Sequence, residues 1–143
     1  MTCPIFIVNV KNKLNHTKIG VDMRKMKVGI IGCGNISQAY FNAVKTFRML
    51  EITSCADINM EAAKAKAQEN NVKAVTVDEL LADKEIESVI NLTIPSAHVE
   101  TAMKALNAGK HVHSEKPLGI DLDEARKLIE LGRKKNLRIG CAP

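Results

Sequence analysis

The stretch KVGIIGCGNIS, from Lys27 to Ser37, constrains this chain more than any other. A short apolar run, Val28 to Ile31, ends in Gly32-Cys33-Gly34, and an apolar pattern of helical period follows. A strand that stops at two closely spaced glycines and turns into a helix is how a parallel βαβ unit opens. The segment follows the G-x-G-x-x-G dinucleotide fingerprint except at the last place, where Ser37 stands.

Each position has its own task. Gly32 permits the tight turn. At Gly34 a Cβ would occupy the space a pyrophosphate needs against the backbone. Asn35 and Ile36 then open a helix whose first N–H groups have no partner within it and carry partial positive charge. The third glycine of the pattern serves close helix–strand packing, so it needs only a small side chain. A serine hydroxyl can bond back along the helix, and Ser37 therefore leaves the phosphate chemistry intact. Asp57 lies 23 residues after Gly34, at the end of the next expected strand. An acid about 20 residues on accepts the ribose hydroxyls of the adenosine half. It also repels a 2′-phosphate, and neither Ile58 nor Asn59 adds a positive charge to offset that. The reading favours NAD, with NADP the weaker alternative. A glycine turn and a strand-end acid with no ligand is the plainer possibility.

The rest of the chain repeats the alternation. Ile36, Ala39, Tyr40, Ala43, Val44 and Phe47 recur at helical spacing. Strands are expected at Lys27–Gly32, Glu51–Asp57, Val72–Val77, Ser88–Ile94, His111–His113 and Leu137–Cys141. Asn59 is placed to cap a helix reaching about Asn70, and a short helix is expected at Asp78–Ala82. Val99, Ala102, Met103 and Leu106 form an apolar stripe, and Gly109 sits at a left-handed helix end. Asp121 with Glu124 resembles a capping box, ahead of a buried face of Ala125, Leu128, Ile129 and Gly132. Six strands joined by helical crossovers imply an α/β fold: a doubly wound parallel sheet, the Rossmann fold, in order 3-2-1-4-5-6. Ligands then sit at the carboxyl ends of strands 1 and 4.

Charge excludes one class of partner. The net charge of +5 resides in residues 1–27, and the remaining residues balance. With 3% aromatic residues there is also no interleaving of rings and bases, so no nucleic-acid partner is expected. Cys3, Cys33, Cys55 and Cys141 lie far apart without a C-x-x-C pair, which argues against a metal site or disulfide framework and fits a reducing, cytoplasmic setting. No apolar run approaches the roughly 18 residues of a membrane span. There is no G-K-[ST] after the glycines and no G-x-S-x-G, so neither ATP hydrolysis nor the usual esterase chemistry is indicated. Residues 1–25 read as an extension outside the domain of 26–143. Ile5 to Val10 is either an extra edge strand or part of a leader upstream of a true start at Met23 or Met26.

Two further segments accompany the glycine turn: Asn91-Leu92-Thr93-Ile94-Pro95-Ser96-Ala97-His98, and Ala108-Gly109-Lys110-His111-Val112-His113-Ser114-Glu115-Lys116-Pro117-Leu118. Together the three resemble the Gfo/Idh/MocA oxidoreductase family, over about residues 26 to 143. The resemblance implies that Lys116 is the active-site lysine beside nicotinamide and substrate, and that Glu115 and Pro117 shape its turn. It implies that Thr93, Pro95 and His98 belong to the loop beside the cofactor. His98 has a second reading, as a residue that caps or lines the start of its helix. The implied reaction moves hydride between nicotinamide and a hydroxyl–carbonyl pair on a sugar, polyol or related compound.

Family members also carry a larger second domain that closes over the nicotinamide, supplies substrate contacts and often forms a homo-oligomer interface. This chain stops where that domain would begin, so the expectation is a cofactor domain that binds NAD(H) with little turnover of its own. The alternative from another class is a non-catalytic, dinucleotide-sensing regulatory module.

Overall fold

The structure is a computed structural model and describes residues 24–143; the strand expected at Ile5–Val10 lies outside them. The elements run β1 (Met26–Ile31), α1 (Ser37–Val44), β2 (Leu50–Ala56), α2 (Met60–Asn70), β3 (Lys73–Val75), α3 (Val77–Ala82), β4 (Ser88–Asn91), a 3-10 turn (Pro95–Ala97), α4 (His98–Asn107), β5 (His111–Ser114), α5 (Leu122–Lys134) and β6 (Ile139–Cys141). All neighbours are parallel, in the order β3-β2-β1-β4-β5-β6. That is the doubly wound order expected, with the switch point between β1 and β4.

Strands buried on both faces explain the continuous apolar runs. Val28 and Ile30 of β1 and Ile90 of β4 point to one side, where Phe41 and Val44 of α1 and Ala63 and Ala67 of α2 cover them. Ile31 and Val89 point to the other, beneath Leu80 of α3, Val99, Ala102 and Leu106 of α4 and Leu128 of α5. Each such aliphatic side chain contributes about 1.5–3 kcal/mol by leaving water.

Three elements differ from expectation. β3 is shorter at both ends. Val72 donates its N–H to Ala67 O at the left-handed end of α2, and Thr76 has left the strand to cap α3. That cap is a full capping box: Thr76 accepts from the Glu79 N–H, and the Glu79 carboxylate accepts from the Thr76 N–H. β4 ends at Asn91 because the Asn91 side chain takes the Thr93 N–H at 3.3 Å. β6 begins at Ile139, since Leu137 donates instead to Gly132 O at the end of α5.

Helix faces differ too. α1 buries Ser37, Phe41 and Val44, one step out of phase with the stripe expected, and leaves Ile36 and Phe47 47% and 54% exposed. Ser37 sets the phase. It is fully buried, with Oγ donating to Gly34 O at 2.6 Å, so the small residue faces the sheet where helix and strand approach closely. On α5, Leu128 and Gly132 are buried while Ile129 is exposed. Asn59 caps α2 as expected; Asp121 likewise accepts two N–H groups at the start of α5, but without the reciprocal bond from Glu124 that a capping box needs. Gly109 ends α4 at φ +78°. Of the cysteines, Cys33 and Cys55 are buried, whereas Cys141 is exposed at the strand end.

Candidate functional site

The carboxyl ends of the strands gather the expected residues. Gly32, at φ +103°, admits no side chain: a Cβ there would lie 2.5 Å from the Leu92 carbonyl carbon and oxygen. Its N–H donates to Ala56 O at 2.9 Å, which ties the turn to the end of β2. Next, the Cys33 N–H donates to Asp57 Oδ2 at 2.7 Å, and the Asn59 N–H to Oδ1 at 2.8 Å. The acid is thereby fixed directly against the glycine turn. A carboxylate has about four acceptor sites, so both oxygens keep capacity for a ligand.

Gly34 is different from Gly32. A Cβ built there meets nothing within 4 Å, so this side of the turn is open. Among the described residues, no backbone partner takes the N–H groups of Gly34, Asn35 or Ile36. α1 has neither a side-chain cap nor an acid in its first turn. Free amides, open space and a nearby fixed carboxylate fit the diphosphate and ribose of a dinucleotide.

The Thr93 loop hangs on Asn91, a residue sequence reasoning passed over. Fully buried, Asn91 donates through Nδ2 to His98 O at 2.9 Å and Ser114 Oγ at 3.2 Å, and accepts from Thr93 Oγ1 at 2.7 Å. A polar residue closing the apolar strand VIN was the available signal. Thr93 is half-buried and Pro95 exposed on the same loop.

His98 sits beneath the loop, as its second reading expected. Its side chain is 1% exposed, and its ring lies between Pro117 O, 2.6 Å from Nδ1, and Thr93 O, 2.9 Å from Nε2. The residue belongs to the support beneath the loop.

Glu115 also works inward. Tyr40 Oη, on α1, donates to Oε1 at 2.5 Å, and the Lys116 N–H donates to Oε2 at 3.1 Å. Burial, followed by this bond, pushes the Tyr40 phenol up to about 12. The same bond holds the Glu115 carboxyl below the ordinary carboxylate range. Tyr40 was seen in the sequence only as part of a helical stripe, and nothing local could reveal a partner 75 residues away. Lys116 is exposed, next to a cis bond to Pro117, and no carboxylate pairs with its ammonium among the described residues.

Other grooves open elsewhere on the surface. One of about 490 Å³, lined by Phe41, Phe47, Arg48 and Asn71, opens at the amino ends of the strands. Volume does not choose the site here; unanswered amides beside a fixed carboxylate do. Among the described residues no three His, Cys, Asp or Glu side chains converge as a metal set, and no helix is long and apolar enough to cross a membrane.

A parallel sheet in this order, with an open glycine turn and a strand-end acid, defines a dinucleotide-binding class of domain. The chain belongs to the GFO_IDH_MocA oxidoreductase family, with its NAD-binding Rossmann fold, which matches residues 26–142. It is 32% identical over 114 residues to 1,5-anhydro-D-fructose reductase of Ensifer adhaerens, covering 78% of this chain and 34% of that one. To an uncharacterized oxidoreductase of Schizosaccharomyces pombe it is 47% identical over 78 residues, 54% of this chain and 21% of the other. Among solved structures, KijD10, a 3-ketoreductase from Actinomadura kijaniata in complex with NADP and TDP-benzene, superposes with a TM-score of 0.77 at 29% identity. That match covers 82% of this chain and 37% of that one. The chain thus spans about a third or less of these relatives' lengths.

Proposed function

We propose that this chain is the cofactor domain of an oxidoreductase that moves hydride between a nicotinamide dinucleotide, preferably NAD, and a hydroxyl–carbonyl pair on a sugar or polyol. A bound nicotinamide supplies hydride exchange at its ring. The chain's residues bind and orient. The amides of Gly34, Asn35 and Ile36 take the diphosphate, and Asp57 takes the adenosine ribose. The Thr93–Pro95 loop and the turn of Glu115 and Lys116 flank the ring. Lys116 then offers an ammonium to the substrate oxygen, where negative charge develops as the C–H bond breaks.

One observation carries this reading: the 2.7 Å bond from the Cys33 amide to Asp57, which sets an acid and open amides on the same turn. The preference for NAD rests on Asp57 followed by Ile58, which is fully exposed and uncharged. The sugar or polyol substrate rests on the names of relatives such as the 1,5-anhydro-D-fructose reductase.

Titration with NADH and NADPH, followed by nicotinamide fluorescence, tests it. NADH should bind more tightly than NADPH. Gly34→Val should abolish binding while leaving the thermal transition in place, because its Cβ meets no protein atom. Binding of neither dinucleotide, or binding indifferent to Gly34→Val, would refute the proposal.

A further inference from the structure

Among the described residues, no backbone hydrogen bond runs between Thr93–Pro95 and Lys116–Pro117; the nearest is from the Glu115 N–H to Asn91 O at the end of β4. Asn91 ties Thr93 to Ser114 at the end of β5, but the contact that runs directly from the Thr93 loop to the Lys116–Pro117 turn is the His98 ring. His98 Nδ1 lies 2.6 Å from Pro117 O and Nε2 lies 2.9 Å from Thr93 O. Both partners are carbonyl oxygens, and carbonyls only accept. A neutral imidazole has one N–H. Its other nitrogen would point a lone pair at an oxygen lone pair, and that contact would have to open. Only a ring with two N–H donors makes both bonds at once.

The surroundings frame the same choice. The backbone of His98 is anchored independently, its carbonyl accepting from the buried Asn91 Nδ2 at 2.9 Å. The main chain that carries the ring is therefore fixed beneath the two loops. No carboxylate bonds to it. Its own helix carries Glu100 and Lys104, which pair with one another; β5 carries His111 and His113 and the turn after it Glu115 and Lys116; α5 begins with Asp121, Asp123 and Glu124; β4 contributes only the neutral Asn91. Glu115 is already engaged by Tyr40 and the Lys116 N–H. The two carbonyls are thus the ring's partners, and a buried polar group of this kind is costly when left unpaired.

We infer that His98 is a positioning residue: held with both ring nitrogens protonated, it pins the Thr93 loop to the Lys116–Pro117 turn, and so fixes the spacing between the nicotinamide loop and the lysine. His98 does not touch cofactor or substrate; it acts through Thr93 and Pro117. This rests on the cofactor reading above for its consequence, but not for the bridge itself. A ring with a single N–H can hold only one of the two loops, so cofactor binding should weaken wherever the second N–H is absent.

Two measurements test the inference on the intact chain. The first needs no cofactor: nitrogen-15 correlation spectra of the imidazole across a pH series. Two N–H groups on His98 at neutral pH are expected; a single-N–H tautomer throughout the series overturns the inference. The second is NADH affinity for the wild type, His98→Gln and His98→Ala. Loss of a hydrogen bond from a charged donor predicts roughly tenfold weaker binding for His98→Ala. His98→Gln retains a donor at one end and should fall between the two. The wild-type affinity should decline with pH and the affinities of both variants should not. Folded variants that bind NADH as the wild type does, with the same pH profile, overturn the inference. If the wild type binds no dinucleotide, the cofactor reading fails, and the ring spectra alone decide the bridge.

Discussion

The two ends of the sheet are finished in opposite ways. At the amino ends, polar groups are answered from within. Lys110, 3% exposed, donates its ammonium to Asp83 O at 2.6 Å and Ile86 O at 2.9 Å, although burial pulls that ammonium below the ordinary lysine value. Lys27 pairs with Glu85 and Arg24 with Glu87 along the same edge. At the carboxyl ends, the amides of Gly34, Asn35 and Ile36 have no partner among the described residues, and Ile36, Ile58 and Ile94 stand exposed. Even neighbouring helices differ: α2 is closed by Asn59, whereas α1 has no cap. One end is built for stability, and the other keeps its hydrogen-bonding capacity for something outside the chain.

The largest effect should come from Gly32→Ala, where the ends of β1 and β4 meet. The new methyl would overlap the Leu92 carbonyl at a φ of +103°, which side chains rarely adopt. A loss of about 3 kcal/mol or more in urea unfolding is expected, in contrast to Gly34→Val. Near-native stability for Gly32→Ala would mean that the two glycines are alike after all.

Lys110→Met tests the amino end. It removes the lysine donor from the buried Ile86 carbonyl, while Asp83 O keeps the Ile86 N–H, and should cost roughly 1–3 kcal/mol, while NADH affinity stays unchanged. A weakened affinity would show that the ends are coupled. Asn59→Ala removes the α2 cap and should cost about 1 kcal/mol, again without affecting affinity, because Asp57 is held by backbone N–H groups.

The smallest effect is a shift in acid sensitivity. The Tyr40 hydroxyl holds the Glu115 carboxyl below its ordinary range. A depressed carboxylate contributes stability above its unfolded value, and that contribution is lost as pH falls through the lower, folded value. Tyr40→Phe should raise the Glu115 carboxyl, giving a smaller acid-side loss that is complete at higher pH. Carbon-13 titration of Glu115 and unfolding curves between neutral and acid pH check both parts; an unmoved Glu115 would remove Tyr40 from the site's support.

Much of this was legible in the residues. The alternation of strand and helix, the glycine turn, Asp57 at the next strand end and the caps at Asn59 and Asp121 all follow from signals within a few positions of one another. So did Ser37, whose hydroxyl bonds back to Gly34 as its chemistry suggested. The face that α1 presents did not follow, because apolar spacing alone selected Ile36 and Phe47 and passed over Phe41.

Sequence by itself determined the order of elements and the open turn, because turn chemistry, capping and hydrophobic period act over one or two helical turns. Tertiary structure alone decided that His98 bridges Thr93 and Pro117, that Tyr40 reaches Glu115, and that Lys110 closes the opposite edge. Those partners lie 5 to 75 residues apart along the chain. Their meeting depends on which strands the crossovers make neighbours and on how each helix is rotated against the sheet, and close packing settles that across the whole domain at once.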